Sequence, residues 1–188
     1  MRTRDGPLAA LRVLLLSDPV RLNALQAVAA LELPDCWIAA GFIRDAVWDH
    51  LHGRAPSLPA GDVDVIWFSP EIGGEDADRE IEKRLRGYSP ELMWSVKNQA
   101  RMHRRNGDMP YSSAADAMTH WPETATAIAL RLDREELKTC APFGLEDLFG
   151  LRLRPTPAFA GGKYAVFEER AMSKRWMERY PELTLSRG

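Results

Sequence analysis

Cysteine is nearly missing: Cys36 and Cys140 are the only two in 188 residues. They lie far apart and form no CxxC pair, which argues against a disulfide framework or a thiolate zinc site and fits a reducing compartment, expected to be the cytoplasm. Long apolar runs are also absent. The nearest approach, MRTRDGPLAALRVLLLSDP, is interrupted by Arg12, stops at Asp18-Pro19 and meets no small-residue cleavage site, so it reads as a helix rather than a secretion signal. No stretch reaches the length of a membrane span, and no membrane partner is expected. Nor is one sign of charge in surplus. The 25 Lys and Arg against 27 Asp and Glu give a formal net charge of −2, so any contact with a polyanion must be local. Internal repeats and low-complexity tracts are lacking.

What is present is an ordinary globular composition, 45% hydrophobic and 28% charged, long enough for a real core. The expectation is a single domain over 1–188, with a core at about 18–135 and a C-terminal helical segment at about 136–188. The pattern changes period several times, as in mixed α and β structure. Leu8, Leu11, Leu14 and Leu15 have helical spacing. Asp18 and Pro19 cap and open a second helix carrying Leu22, Leu25 and Val28, which Pro34 ends. CWIAA is a short strand stopped by Gly41. FIRDAVWDHLHG is helical, with Ile43, Val47 and Leu51 one turn apart and Gly53 at its end. DVDVIWF is the strongest strand signal. GGEDADREIEKRLRG then reads as a charged helix, LMWSV and ATAIALRL as strands, and KYAVFEERAMSKRWMERY as one helix with Val166, Phe167, Met172 and Trp176 inward.

The strand DVDVIWF contains a difficulty. Asp62 and Asp64 are two residues apart, so their side chains leave the same face, while Val63, Val65 and Trp67 pack on the other. Two carboxylates roughly 5 Å apart at an effective dielectric of about 20 repel by roughly 3 kcal/mol, enough to lift one pKa by about two units. A proton or a hard cation, Mg²⁺ or Mn²⁺, relieves this; a solvated edge strand is the plain alternative. Just upstream, Gly41 stands between strand and helix, where a missing side chain lets an anion reach the free N–H groups of the helix start, and Arg44 lies on its first turn. A tight turn and a surface arginine are the plain readings of those two.

Taken together, AAGFIRDAVWDHLHG followed by GDVDVIWF resembles the nucleotidyltransferase superfamily of DNA polymerase β. Its G-x-x-RD and D-x-D order is similar to the head domain of CCA-adding enzymes and bacterial poly(A) polymerases. With NQARMH and APFGLEDLF, most of the chain resembles a family of small bacterial nucleotidyltransferases. The resemblance implies an α+β fold, a small mixed sheet flanked by helices. It also implies metal-dependent transfer of a nucleoside monophosphate from an NTP to an unknown acceptor. Asp62 and Asp64 would be catalytic and hold Mg²⁺ or Mn²⁺, Gly41 would lie on the phosphate side, and Arg44 and Asp45 would match the RD pair. Two departures stand out: Phe42 replaces a small residue, and LMWSVKNQA lacks the third carboxylate of many relatives. The resemblance to the CCA-adding group implies that the Asp-x-Asp pair suffices without it, and a catalytically degenerate binding domain is the alternative. A haloacid dehalogenase-type phosphohydrolase has its hydrophobic strand before the acids, whereas here SLPAG precedes them.

VKNQARMHRR concentrates Lys97, Arg101, Arg104 and Arg105 in an otherwise balanced chain. Asn98, Arg101 and His103 are taken as nucleotide-binding candidates there, against the reading of a solvated basic loop. His50 and His52 do not share a helix face and make no zinc pair. The scattered tryptophans read as core. FGLEDLFG suits a short helix with Leu145, Leu148 and Phe149 inward and Glu146 and Asp147 solvated. Thr124 and Thr126 read as ordinary strand residues in preference to nucleotide contacts. The acceptor is open between an RNA end, a protein hydroxyl and a small molecule; with nothing similar to a helical tRNA-binding tail, RNA is possible but not favoured.

Overall fold

The computed structural model describes residues 6–72 and 74–186; the first five positions of the N-terminal segment lie outside them. Two helices open the chain, α1 (Gly6–Leu16) and α2 (Pro19–Ala29). The Asp18 carboxylate accepts the backbone N–H groups of Val20 and Arg21 at 3.0 and 3.2 Å, with Pro19 in the first turn, which is the cap its sequence predicts. Strand β1 (Trp37–Ala39) leads into α3 (Gly41–Leu51), and β2 (Val63–Trp67) is followed by α4 (Glu75–Tyr88) and β3 (Trp94–Asn98). Short helices α5 (Met102–Asn106) and α6 (Ala114–Thr119) precede the hairpin of β4 (Ala129–Asp133) and β5 (Glu136–Cys140). The chain continues through α7 (Glu146–Phe149), β6 (Arg152–Leu153), α8 (Tyr164–Ser173), α9 (Trp176–Arg179) and β7 (Thr184–Leu185).

Five strands form one mixed sheet in the order β3-β2-β1-β4-β5. Only β2 and β3 are parallel, joined by the crossover helix α4; the other neighbours are antiparallel. One face is the main core: Ile38, Val63, Val65, Trp67, Val96 and Leu130 are closed off by α1 to α4 through Leu11, Leu25, Val47 and Leu85. Each such side chain stabilises the fold by about 1.5–3 kcal/mol relative to exposure. Buried Asp78 of α4 ties the crossover down, accepting the Trp67 indole N–H at 2.9 Å and the Asn98 backbone N–H at 3.1 Å. The other face carries a smaller cluster, with Ala39, Ile66, Ala114, Met118 and Ala129. The small side chains of Ala39, Ala127 and Ala129 leave room on this face for the cavities described below.

The C-terminal part differs from its sequence reading. Residues 163–180 are two helices, because Arg175 takes a left-handed conformation with φ 52°. The turn keeps Phe167 and Trp176 buried and leaves Val166 and Met172 exposed. The segment from 136 is not purely helical, since β5 extends the main sheet and β6 pairs with β7. Asp147 is buried rather than solvated, accepting hydrogen bonds from the Thr124 hydroxyl at 2.6 Å and Arg154 at 2.8 Å. The strand expected at 125–132 begins at Ala129, because the Thr126 and Ala127 N–H groups turn back onto the Glu123 carbonyl.

Candidate active site

The junction between β1 and α3 is built on an unusual residue. Ala40 has φ 57° and ψ −123°, a conformation that normally belongs to glycine, while Gly41 next to it does not need positive φ. The turn's conformational demand therefore falls one residue before the glycine that the sequence singles out. Ala40 is pinned by donating its N–H to the Ile128 carbonyl at 2.9 Å, and its own carbonyl accepts from Ile43 and Arg44. No side chain caps α3. Its first amides thus begin without intrahelical acceptors beside the cavity that Ala40, Gly41 and Phe42 help to line.

Opposite this helix start stand the acids. Asp62 is exposed just before β2 and Asp64 is half-buried within it. Asp64 is in register with Ala39 on one side and Ser95 on the other, and Ala39 in turn with Ala129, so the row flanking the carboxylate is small. The Asp64 pKa is pushed up to about 6, first by burial and second by the charge of Asp62; Arg44, Arg170 and a hydrogen bond with Ser95 pull the other way. Mutual repulsion, the cause expected from the sequence, is the lesser of the two raising effects.

A cavity of about 610 Å³ lies on the Asp62 side, lined by Gly41, Arg44, Asp45, Asp62, Asp64 and Arg179 among others. Arg44 is buried, and each of its three guanidinium nitrogens donates one hydrogen bond. It donates to Asp45 Oδ1 from Nε and Nη2 at 2.9 and 2.7 Å and to the Thr126 hydroxyl from Nη1 at 3.0 Å. Its guanidinium lies 5.2 Å from the Trp48 ring centroid and 4.4 Å from that of Trp176. Arg179 approaches Asp45 at 3.5 Å and Asp49 at 3.3 Å, fastening α9 to α3. Thr126, read from the sequence as an ordinary strand residue, is therefore an Arg44 partner and part of the cavity wall.

Arg170 of α8 is the residue the sequence reading missed. It lines the same cavity, and its Nε donates to Glu123 Oε1 at 2.7 Å; Glu123 is completely buried, and its second oxygen has no partner among the described residues. No local signal marks either residue, because they are 47 positions apart and α8 reads as a core helix.

Asn98, Arg101 and His103 are not brought to the acids. The Asn98 amide is fully buried, donating to the carbonyls of Ser69 and Ile72 at 2.8 and 3.1 Å and accepting from the Ser69 N–H at 3.2 Å. Arg101 pairs with Asp78, and His103 Nδ1 meets the Ala100 carbonyl at 3.0 Å. Their neighbours Lys97, Gln99 and Arg105 are the ones that reach a cavity wall.

A third carboxylate does not join the pair. Ser95 occupies the β3 position beside Asp64, and among the described residues no group of three or more His, Cys, Asp or Glu is arranged to hold a metal ion. The chemistry of the donor set still fits a hard divalent cation: two carboxylates, one held partly out of water against its own charge, with further positions left to water or phosphate oxygens.

A mixed sheet with paired acids on the strand beside an uncapped helix start is the architecture of a nucleotidyltransferase head domain. The chain belongs to the nucleotidyltransferase family, whose profile matches residues 26–185. An NMR structure described as a CCA-adding enzyme head domain superimposes with a TM-score of 0.83 at 34% identity, over 96% of this chain and 94% of that one. A CCA-adding enzyme solved with CTP matches at a TM-score of 0.61 and 14% identity over 94% of this chain. The Thermotoga maritima CCA-adding enzyme solved with tRNA matches at 0.57 and 17% over 95%. This chain spans only 43% and 42% of those two enzymes, whose likeness is one of fold. No curated protein matches the chain in sequence.

Proposed function

We propose that the protein transfers a nucleoside monophosphate from an NTP to an acceptor hydroxyl, with release of pyrophosphate and dependence on Mg²⁺ or Mn²⁺. The observation that carries this is the meeting of Asp62 and Asp64 with the open start of α3 and buried Arg44 around one cavity. In this reading the amides of Gly41 and Phe42 receive the triphosphate, and Arg44, kept straight by Asp45 and Thr126, faces it with a fixed guanidinium. Arg170 offsets phosphate charge from the opposite wall. Asp62 and Asp64 hold the divalent ion, which when bound neutralises phosphate charge and aligns the attacking hydroxyl. A relative of the same fold solved with CTP supports an NTP as donor. No helix among the described residues is long and apolar enough to cross a membrane, and the two cysteines are free thiols; a cytoplasmic location is part of the proposal.

That no third carboxylate joins Asp62 and Asp64 among the described residues, Ser95 standing beside Asp64, favours the second reading, a domain that binds nucleotide without transferring it. Two measurements separate them. An NTP at roughly 100 times its dissociation constant, with Mg²⁺, should stabilise the protein by about 2.7 kcal/mol, and Arg44→Lys, which loses the bidentate fork, should diminish the thermal shift. Pyrophosphate release with a cell extract as acceptor source should occur with the wild type and vanish in Asp62→Asn/Asp64→Asn. Metal-dependent binding without release for any of the four nucleotides would leave the binding-only reading standing.

A further inference from the structure

A second cavity, also of about 610 Å³, lies on the other side of Asp64. Along β2 the first cavity takes Asp62 and Asp64, the second Asp64, Val65 and Ile66. The two share Ala40, Asp64, Arg105, Thr126 and Arg170, and so meet at the acid. In-line displacement brings the attacking oxygen to the phosphorus from the side opposite the leaving pyrophosphate. With the triphosphate in the first cavity, the attack comes from the second.

The walls of this second cavity have two distinct characters. Ile66, Met102, Trp121, Phe159 and Val166 supply an apolar and aromatic surface. Lys97, Arg105, Lys163 and Arg170 supply positive charge, and Asp64 is the only carboxylate among the described lining residues. Three of these cations are held from behind by acids that do not line the cavity. Glu82 lies 3.7 Å from Lys97, Asp108 lies 3.2 Å from Lys163, and Glu123 lies 2.7 Å from Arg170. Those acids are themselves fixed, Glu82 by the Val96 N–H at 3.0 Å, Asp108 by the Tyr111 hydroxyl at 2.5 Å and Glu123 by complete burial. Cations tethered at the rear and apolar walls between them form a receptor for an anion with a hydrophobic or ring-shaped body. The volume falls inside the range of roughly 300–1,000 Å³ typical of small-molecule sites. Single-stranded nucleic acid is instead held along a groove that follows successive phosphates over roughly 4–16 nucleotides.

We infer that this cavity is the acceptor site and that the acceptor is a small anionic molecule bearing a hydroxyl, such as a phosphorylated or carboxylated metabolite, rather than a polynucleotide. The inference rests on the transferase reading above. In the reaction the acceptor oxygen bonds to the α-phosphorus, the bond from that phosphorus to the bridging oxygen of the β-phosphate breaks, and pyrophosphate leaves with the electron pair. The hydroxyl proton passes to solvent.

The test uses the full chain and a cell extract divided by ultrafiltration into small-molecule and macromolecular fractions, the former then passed over an anion exchanger. Pyrophosphate release from mixed NTPs is followed with each fraction for wild type and Lys97→Ala/Lys163→Ala, and NTP thermal shifts are recorded in parallel. Both lysine side chains are 44–46% exposed, so the variant should fold. Stimulation by the small-molecule fraction, retained on the exchanger and reduced roughly tenfold or more in the double variant with the NTP shift intact, is the expected result. Lys163→Arg should recover most of it. Stimulation confined to the macromolecular fraction or to uncharged small molecules overturns the inference, as does full stimulation of the variant. Loss of the NTP shift in the double variant also overturns it, because the cavity then holds the nucleotide. Stimulation by no fraction with the NTP shift intact, or absence of any NTP shift in the wild type, is a failure of the transferase reading itself, and the inference falls with it.

Discussion

Asp64 holds its proton up to a pH of about 6, against 3.8 for an ordinary aspartate. Below 3.8 the folded and unfolded chains are both protonated and the residue costs nothing. Between those values the unfolded chain releases its proton while the folded one keeps it, so stability falls as pH rises; above 6 the loss is complete, at most about 3 kcal/mol. Asp64→Asn should therefore raise the urea midpoint of the metal-free protein at neutral pH, with the gain fading toward pH 4. An equal gain at both ends would remove burial of charge as the cause. Of the candidate site, what short spacing encodes was legible in the sequence: the shared face of Asp62 and Asp64, and the helix that presents Gly41, Arg44 and Asp45. Residues whose role depends on distant partners were not. Thr126 meets Arg44 across 82 positions, and no local pattern announces a contact of that kind. Asn98, Arg101 and His103 drew notice through a cluster of charge, yet the fold spends their side chains on Ser69, Asp78 and Ala100.

Among the elements, α9 has influence beyond its four residues. Trp176 and Tyr180 pack edge-on against Trp48, with ring centroids 6.1 and 5.2 Å away, and Trp176 also covers Arg44. Trp176→Ala should destabilise the fold by about 3–5 kcal/mol and reduce the NTP thermal shift by freeing Arg44; Trp176→Phe should retain most of both. A full nucleotide response in the Ala variant, measured below its new melting temperature, would separate the α9 packing from the site. The break before α9 was hidden from a periodicity reading, because Arg175 is neither Gly nor Asn and gives no sign of its left-handed turn. Strand β5 escaped for a different reason. Its sequence, ELKTC, has a single large apolar residue, and only its pairing with β4 makes it a strand. The longer strand β2 and helices α2 and α3 were legible because pattern and caps agreed.

At the scale of the molecule, the alternation of helical and strand periods made the mixture of α and β structure legible, and the resemblance to the nucleotidyltransferases implied the mixed sheet, while strand order was not legible. The main core runs without interruption from Leu11 to Leu183, taking in both the sheet face and Phe167, Trp176 and Tyr180. Calorimetry should accordingly give one transition, with equal calorimetric and van't Hoff enthalpies and a heat-capacity change of about 2.5 kcal/mol/K for a chain of this length. Two resolved transitions would show that the C-terminal segment unfolds separately. The fastening of α9 onto α3 also orders events in time. Gly41 and Arg44 leave the ribosome early, but the wall that encloses them is supplied by Trp176 and Arg179. A nascent chain lacking those residues has the acids and the helix start yet no closed cavity between them, so nucleotide cannot help to fold the growing chain and can act only on one whose synthesis has passed Arg179.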